Sequence, residues 1–152
     1  EQIFIKALKG EKINWFGDLN IPIEFIFIED AGKSMAIAAL SEKSNCKSFN
    51  VPGFAETTAL NILNEIVNQS NPEGMSTQKN SKISALNSDL IFSLVGLLNP
   101  IAKEFKEMLY LKRTKLILDG SLFKETFGIL PSTPYEEGIR KTLQWCKDFF
   151  NV

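Results

Sequence analysis

An α/β fold with parallel strand pairing is what this sequence predicts, and three observations predict it. Short β-prone runs such as "EFIFI" at 24–28 alternate with stretches of helix formers. The connections between them exceed ten residues, long enough for crossovers that return a strand parallel to its predecessor. The chain, at 152 residues, is about one domain, with 44% hydrophobic and 23% charged residues, the balance of a globular protein.

The elements follow in order. Gln2–Leu8 reads as the tail of a helix that ends near Gly10, and Lys12–Phe16 as a short strand turned by Gly17-Asp18. Glu24–Ile28 reads as a buried strand, after which Asp30 is expected as the N-cap of a helix over Ala31–Leu40. Lys47–Val51 is expected as another strand, closed by Pro52-Gly53. Thr57 or Thr58 caps a helix to about Asn68, with Leu60, Leu63, Ile66 and Val67 on one face. Residues 69–84 are polar and turn-rich, a loop with room for one short strand. A helical region over Ser88–Tyr110 is broken at Asn99-Pro100, where proline removes a backbone donor. Lys115–Leu118 is expected as a strand, Asp119 as the cap of a helix over Ser121–Phe127, and Gly128 as its stop. Thr133, Pro134 and Glu136 form a capping box for a last helix with Ile139, Leu143, Cys146 and Phe150 on one face.

Composition excludes several function classes. A net charge of -1 leaves no footprint for nucleic acid and no polybasic patch for a membrane surface. No apolar run approaches the roughly 20 residues that span a bilayer. There is no histidine, which removes His-based triads and most zinc sites. The two cysteines, Cys46 and Cys146, have no ligand spacing, and a reduced cytoplasmic chain is expected. Gly32-Lys33-Ser34 matches the end of a phosphate-binding loop, but Phe27 stands where its first glycine belongs. No glycines are spaced as G-x-G-x-x-G, and Thr114 and Ile139 stand four residues after the only tyrosines, Tyr110 and Tyr135. The chain therefore holds neither a dinucleotide fingerprint nor a Tyr-x-x-x-Lys pair. Of the paired carboxylates, Glu29-Asp30 reads as capping, Glu104/Glu107 as an exposed face beside Lys103 and Lys106, and Glu136-Glu137 as acids suited to a helix N-terminus.

Four stretches, in order, resemble one family. "FIFIEDAGKSMAIAAL", "FNVPGFAETTALNILNEI", "NPIAKEFKEMLY" and "LILDGSLFKETFGILPSTPYEEGIRKTLQW" are similar to the second half of extended and atypical short-chain dehydrogenase/reductases, the NAD-dependent epimerase/dehydratase group. The resemblance implies that residues 1–152 form a single region: the helix-rich C-terminal portion of a Rossmann-type fold, with a few short, mainly parallel sheet strands and a substrate-binding lobe. It implies that the N-terminal half, which in the family carries the glycine fingerprint and the catalytic tyrosine and lysine, is absent. The chain alone then binds no cofactor and is not catalytically competent, while the parent protein uses NAD or NADP on a small-molecule substrate. The candidate substrate-binding residues are Phe16, Tyr110 and Arg113. Family members acting on nucleotide sugars carry an arginine just before the strand that "EFIFI" resembles; Ile23 stands there, which disfavours a nucleotide-diphosphate sugar. The expected partners are the missing half or a second copy meeting exposed strands. The alternative is a stand-alone binding or oligomerisation module that keeps the fold without the chemistry.

Overall fold

The computed structural model describes residues 2–71, 82–86 and 114–151. The helical region expected over Ser88–Tyr110 lies outside these residues.

The first helix, α1 (Gln2–Leu8), leads into β1 (Ile13–Phe16). β1 pairs in parallel with β4 (Ile83–Leu86), in the register Ile13 to Ile83 and Phe16 to Leu86. That is the parallel pairing expected of long crossovers. The connection carries α2 (Ile28–Ala39) and α3 (Ala59–Ser70). A second, two-residue ladder is antiparallel, between β2 (Pro22–Ile23) and β3 (Thr57–Thr58). The chain finishes with α4 (Ser121–Phe127) and α5 (Tyr135–Phe150). The architecture is α/β and helix-rich, with few, short, mainly parallel strands.

The core forms where amphipathic faces converge. Leu63 and Ile66 of α3 meet Ile139, Leu143 and Cys146 of α5 and Ala7 and Leu8 of α1, with Ile13 of β1 beneath them. The apolar faces read from helical spacing in α3 and α5 are the faces that pack. α3 starts where expected: the Thr58 side chain accepts the Asn61 N–H at 3.2 Å. A second cluster surrounds Phe123, which lies 4.7 Å from Phe127 and 5.8 Å from Phe49, ring centre to ring centre. Gly128 closes α4 with φ +75°, the left-handed C-cap that glycine adopts without strain.

Three segments expected as strands are not. Glu24–Phe27, Lys47–Val51 and Lys115–Leu118 carry no ladder, and Ile28 already belongs to α2. They are nevertheless threaded past one another. The Glu24 carboxylate accepts the Leu118 N–H at 2.9 Å, and Lys115 pairs with Glu56 at 2.7 Å. A Cβ on Gly53 would collide with the Phe25 carbonyl, and one on Gly120 would stand 2.5 Å from the Pro52 ring. Side chains and a proline supply the contacts where a sheet would use its backbone. Phe49 packs on α4 instead of on a neighbouring strand.

Three expected caps also lie elsewhere. α2 begins at Ile28 because Phe27 is its N-cap: the Phe27 carbonyl accepts the N–H groups of Asp30 and Ala31 at 3.0 and 3.1 Å. The Phe27 ring is fixed by Gly138 of α5, where an added Cβ would approach it to 3.3 Å. Tertiary packing of an aromatic ring therefore sets the cap of α2 three residues before Asp30, the position the sequence offered. The N-cap of α5 is Pro134, with no side-chain cap, because the Thr133 hydroxyl is turned to Asp30. Asp119 sits one residue outside the Gly120 N-cap of α4; its carboxylate accepts the Ser121 N–H at 2.9 Å. That bond holds the Asp119 carboxyl below its ordinary value.

Candidate functional site

A cleft of about 330 Å³ opens beside the core. Its aromatic wall is made by Trp15 at the end of β1 and by Phe25 and Phe27 from the segment before α2. Ile62, Leu63 and Ile66, one face of α3, also line it. Pro134, Tyr135 and Ile139 at the start of α5 and Ile3 and Phe4 of α1 complete the lining. Trp15 and Phe25 meet edge to face at 6.3 Å, a favourable geometry for two rings sharing a wall.

Among the described residues its polar side chains are few, and the hydroxyls are each engaged. The Tyr135 hydroxyl donates to the Ala55 carbonyl and accepts the N–H groups of Phe25 at 3.2 Å and Ala55 at 3.4 Å. Tyr135 thereby ties the first residue of α5 to two loops, and it takes the Phe25 donor that a strand ladder would have used. The Thr142 hydroxyl donates to the Gly138 carbonyl at 2.8 Å, one turn earlier in α5. The Thr133 hydroxyl donates to Asp30 Oδ1 at 3.0 Å, while the Thr133 N–H donates to Oδ2 at 2.6 Å. Among the described residues, no charged side chain lines the cleft.

Asp30 stands just behind this lining. It is 4% exposed, and its two bonds to Thr133 fix the turn that enters α5. A charge cluster stitches the same two helices on the surface. Lys141 lies 3.0 Å from Glu137 and 3.8 Å from Glu29, with its Nζ 5.6 Å from the centre of the Phe27 ring. The hydrogen bond from Lys141, and then its charge, hold Glu137 below the usual carboxylate range, and donating that bond to Glu137 raises Lys141.

Of the sequence-predicted substrate residues, the structure places Phe16 at the exposed end of β1, next to Trp15. Tyr110 and Arg113 lie outside the described residues. Ile23 is half-buried in β2, opposite Thr57. Trp15, Phe25 and Tyr135, which build the cleft, were not singled out as site residues by sequence reasoning. The β-prone "EFIFI" run signalled burial of Phe25 and Phe27, but nothing local distinguished a cleft wall from a sheet face. Among the described residues no group of three metal-ligating side chains converges, and no helix is long and apolar enough to cross a membrane.

α2 has an inverted pattern. Its buried residues are the polar Asp30 and Ser34, at 4% and 1% exposure, whereas Ile28 and Met35 are 78% and 72% exposed. Gly32, Ala36 and Ala39 share the outward side, so an apolar, small-residue face looks away from the core.

Comparison with known proteins agrees with this architecture. No family model matches the sequence, and no curated protein matches it. Among solved structures, dTDP-glucose 4,6-dehydratase from Bacillus anthracis str. Ames, in complex with NAD, is similar over 97% of this chain, with a TM-score of 0.64 and 18% identity. Pal from Bacillus thuringiensis is similar over 97% of this chain, with a TM-score of 0.67 and 16% identity. The chain spans 38% of the length of each. Its fold is thus one that forms a part of an NAD-bound dehydratase.

Proposed function

We propose that this chain is the substrate-binding portion of an NAD(P)-dependent oxidoreductase, epimerase or dehydratase of the short-chain dehydrogenase/reductase type, and that it does not catalyse the reaction alone. The observation that carries this reading is the fold likeness, continuous over 97% of the chain and confined to 38% of the dehydratase. Two features support it. The sequence lacks G-x-G-x-x-G and Tyr-x-x-x-Lys, the parts that grip a dinucleotide and move a proton in such enzymes. The outward face of α2, with Ile28, Gly32 and Met35, has the composition of a helix that packs on another body.

In this reading the dinucleotide and the proton-transfer groups come from the other portion of the parent protein. The residues described here shape the cleft and keep water from it. Phe16, Tyr110 and Arg113 remain the candidate substrate contacts, and Arg113 is the natural anchor for an anionic group.

A binding module without chemistry is favoured by one observation: Tyr135, Thr133 and Thr142 already spend their hydroxyl protons within the chain. Calorimetric titration of NAD and NADP separates the two readings. The 152-residue chain should show no micromolar affinity, and the full product of its gene should show it. A full product that binds neither dinucleotide would leave the binding module as the correct reading.

A further inference from the structure

The cleft's chemistry specifies what it can hold. We infer that it binds a neutral, apolar ring or alkyl group of about ten carbons, and that it excludes nucleotide and sugar moieties. This goes beyond the dehydrogenase-type reading and does not rest on it, because it follows from the described lining residues.

Size comes first. An apolar cavity of about 150 Å³ takes up benzene and stays dry when empty. The present cleft, at about 330 Å³, accommodates two fused six-membered rings with space remaining. It lies at the lower end of the range of small-molecule pockets, about 300–1,000 Å³.

Polarity comes second. A sugar brings several hydroxyls, and each must find a partner when it leaves water. Here the Tyr135 hydroxyl is saturated by Ala55 and Phe25, and the protons of Thr133 and Thr142 are committed to Asp30 and Gly138. A diphosphate needs cations or a cluster of free N–H groups, and no charged side chain is present among the described lining residues. Apolar atoms meet no such penalty. Each methylene moved from water into the cleft strengthens binding on the order of fourfold.

Shape comes third. Trp15, Phe25 and Phe27 line the cleft together with the branched aliphatic side chains of α3. A flat ring entering it can meet both aromatic rings and methyl groups, contacts that favour a planar hydrocarbon.

The test is a methyl-resolved NMR titration of the 152-residue chain with toluene, ethylbenzene and naphthalene, and separately with dTDP-glucose. Saturable shifts confined to the methyls of the isoleucines that line the cleft, at 3, 26, 28, 62, 66 and 139, with affinity rising from toluene to naphthalene by tenfold or more, are expected. dTDP-glucose should leave those methyls unmoved. Ile62→Phe places a ring in the cleft from a half-buried position and should weaken naphthalene at least tenfold while the thermal transition persists. Thr142→Leu, which gives up only an intrahelical bond, should act in the same direction and serves if the first variant does not fold. Naphthalene shifts located elsewhere, no saturable shift for any hydrocarbon, or dTDP-glucose shifts at the same methyls would overturn the inference. Hydrocarbon binding by a full product that ignores NAD would refute the enzyme reading and leave this inference standing.

Discussion

Replacing Asp30 by alanine removes the acceptor for two Thr133 donors at once, in a place where water has little access. Hydrogen bonds to a charged group contribute about 1.5–3 kcal/mol, and a stranded donor costs a comparable amount. Asp30→Ala should therefore destabilise the chain by about 1.5–3 kcal/mol in urea unfolding. Asp30→Asn should cost less, because the amide can accept from the Thr133 N–H and donate to its hydroxyl. Equal losses for the two variants would contradict this geometry. The sequence made Asp30 conspicuous, but for the wrong bond: an acid after a β-prone run is the ordinary sign of a helix cap. Its real partner is 103 residues away, and no local pattern encodes such a pairing. Tyr135 was hidden for the same reason, since its partners at Phe25 and Ala55 are defined only once three segments have met.

The elements that sequence periodicity revealed are those whose order is local. α1, α3, α4 and α5 follow the helical spacing of their apolar residues, β1 lies within its expected span, and Gly128 ends α4. The segments 24–28, 47–51 and 115–118 were misread because β-propensity measures how well side chains suit a half-buried surface, not whether a neighbouring backbone is in place. Their crossing is tight. Gly53→Ala would drive a methyl group into the Phe25 carbonyl, with backbone on both sides and no flexible side chain to yield. It should destabilise by about 1–3 kcal/mol or more, as overpacking does, and a neutral result in denaturant titration would contradict the crossing. The Glu137–Lys141 pair within α5 makes a pH prediction. Glu137 is held below its ordinary value by Lys141, so its contribution to folding is complete above the usual carboxylate range. It is lost as pH falls through the lowered folded value, where protonation breaks the pair. Both side chains are half exposed, so the effect is small. The difference in urea midpoint between the wild-type chain and Glu137→Gln should be visible near neutrality and close on acidification; a difference that widens in acid would contradict the assignment.

On the scale of the whole molecule, the unusual feature is where apolar surface lies. Phe25 and Phe27, from the segment read as a buried strand, are half-buried in the cleft wall. The exposure falls instead on Ile28, Met35 and Leu40, the last 90% exposed, and on Leu116–Leu118. Fully burying an isoleucine or methionine stabilises by about 1.5–3 kcal/mol, so such a surface gains from a covering partner. Ile28, Gly32 and Met35 lie on one side of α2, the kind of exposed apolar face that suits an interaction site. The central claim is that this chain works as one portion of a larger assembly, with the outward face of α2 covered. Sedimentation velocity at micromolar concentration tests it most directly. The chain alone should sediment as a dimer or larger species, and Met35→Lys should shift it to monomer while leaving the fold intact. A wild-type chain that sediments as a clean monomer and unfolds in one cooperative step would contradict the claim.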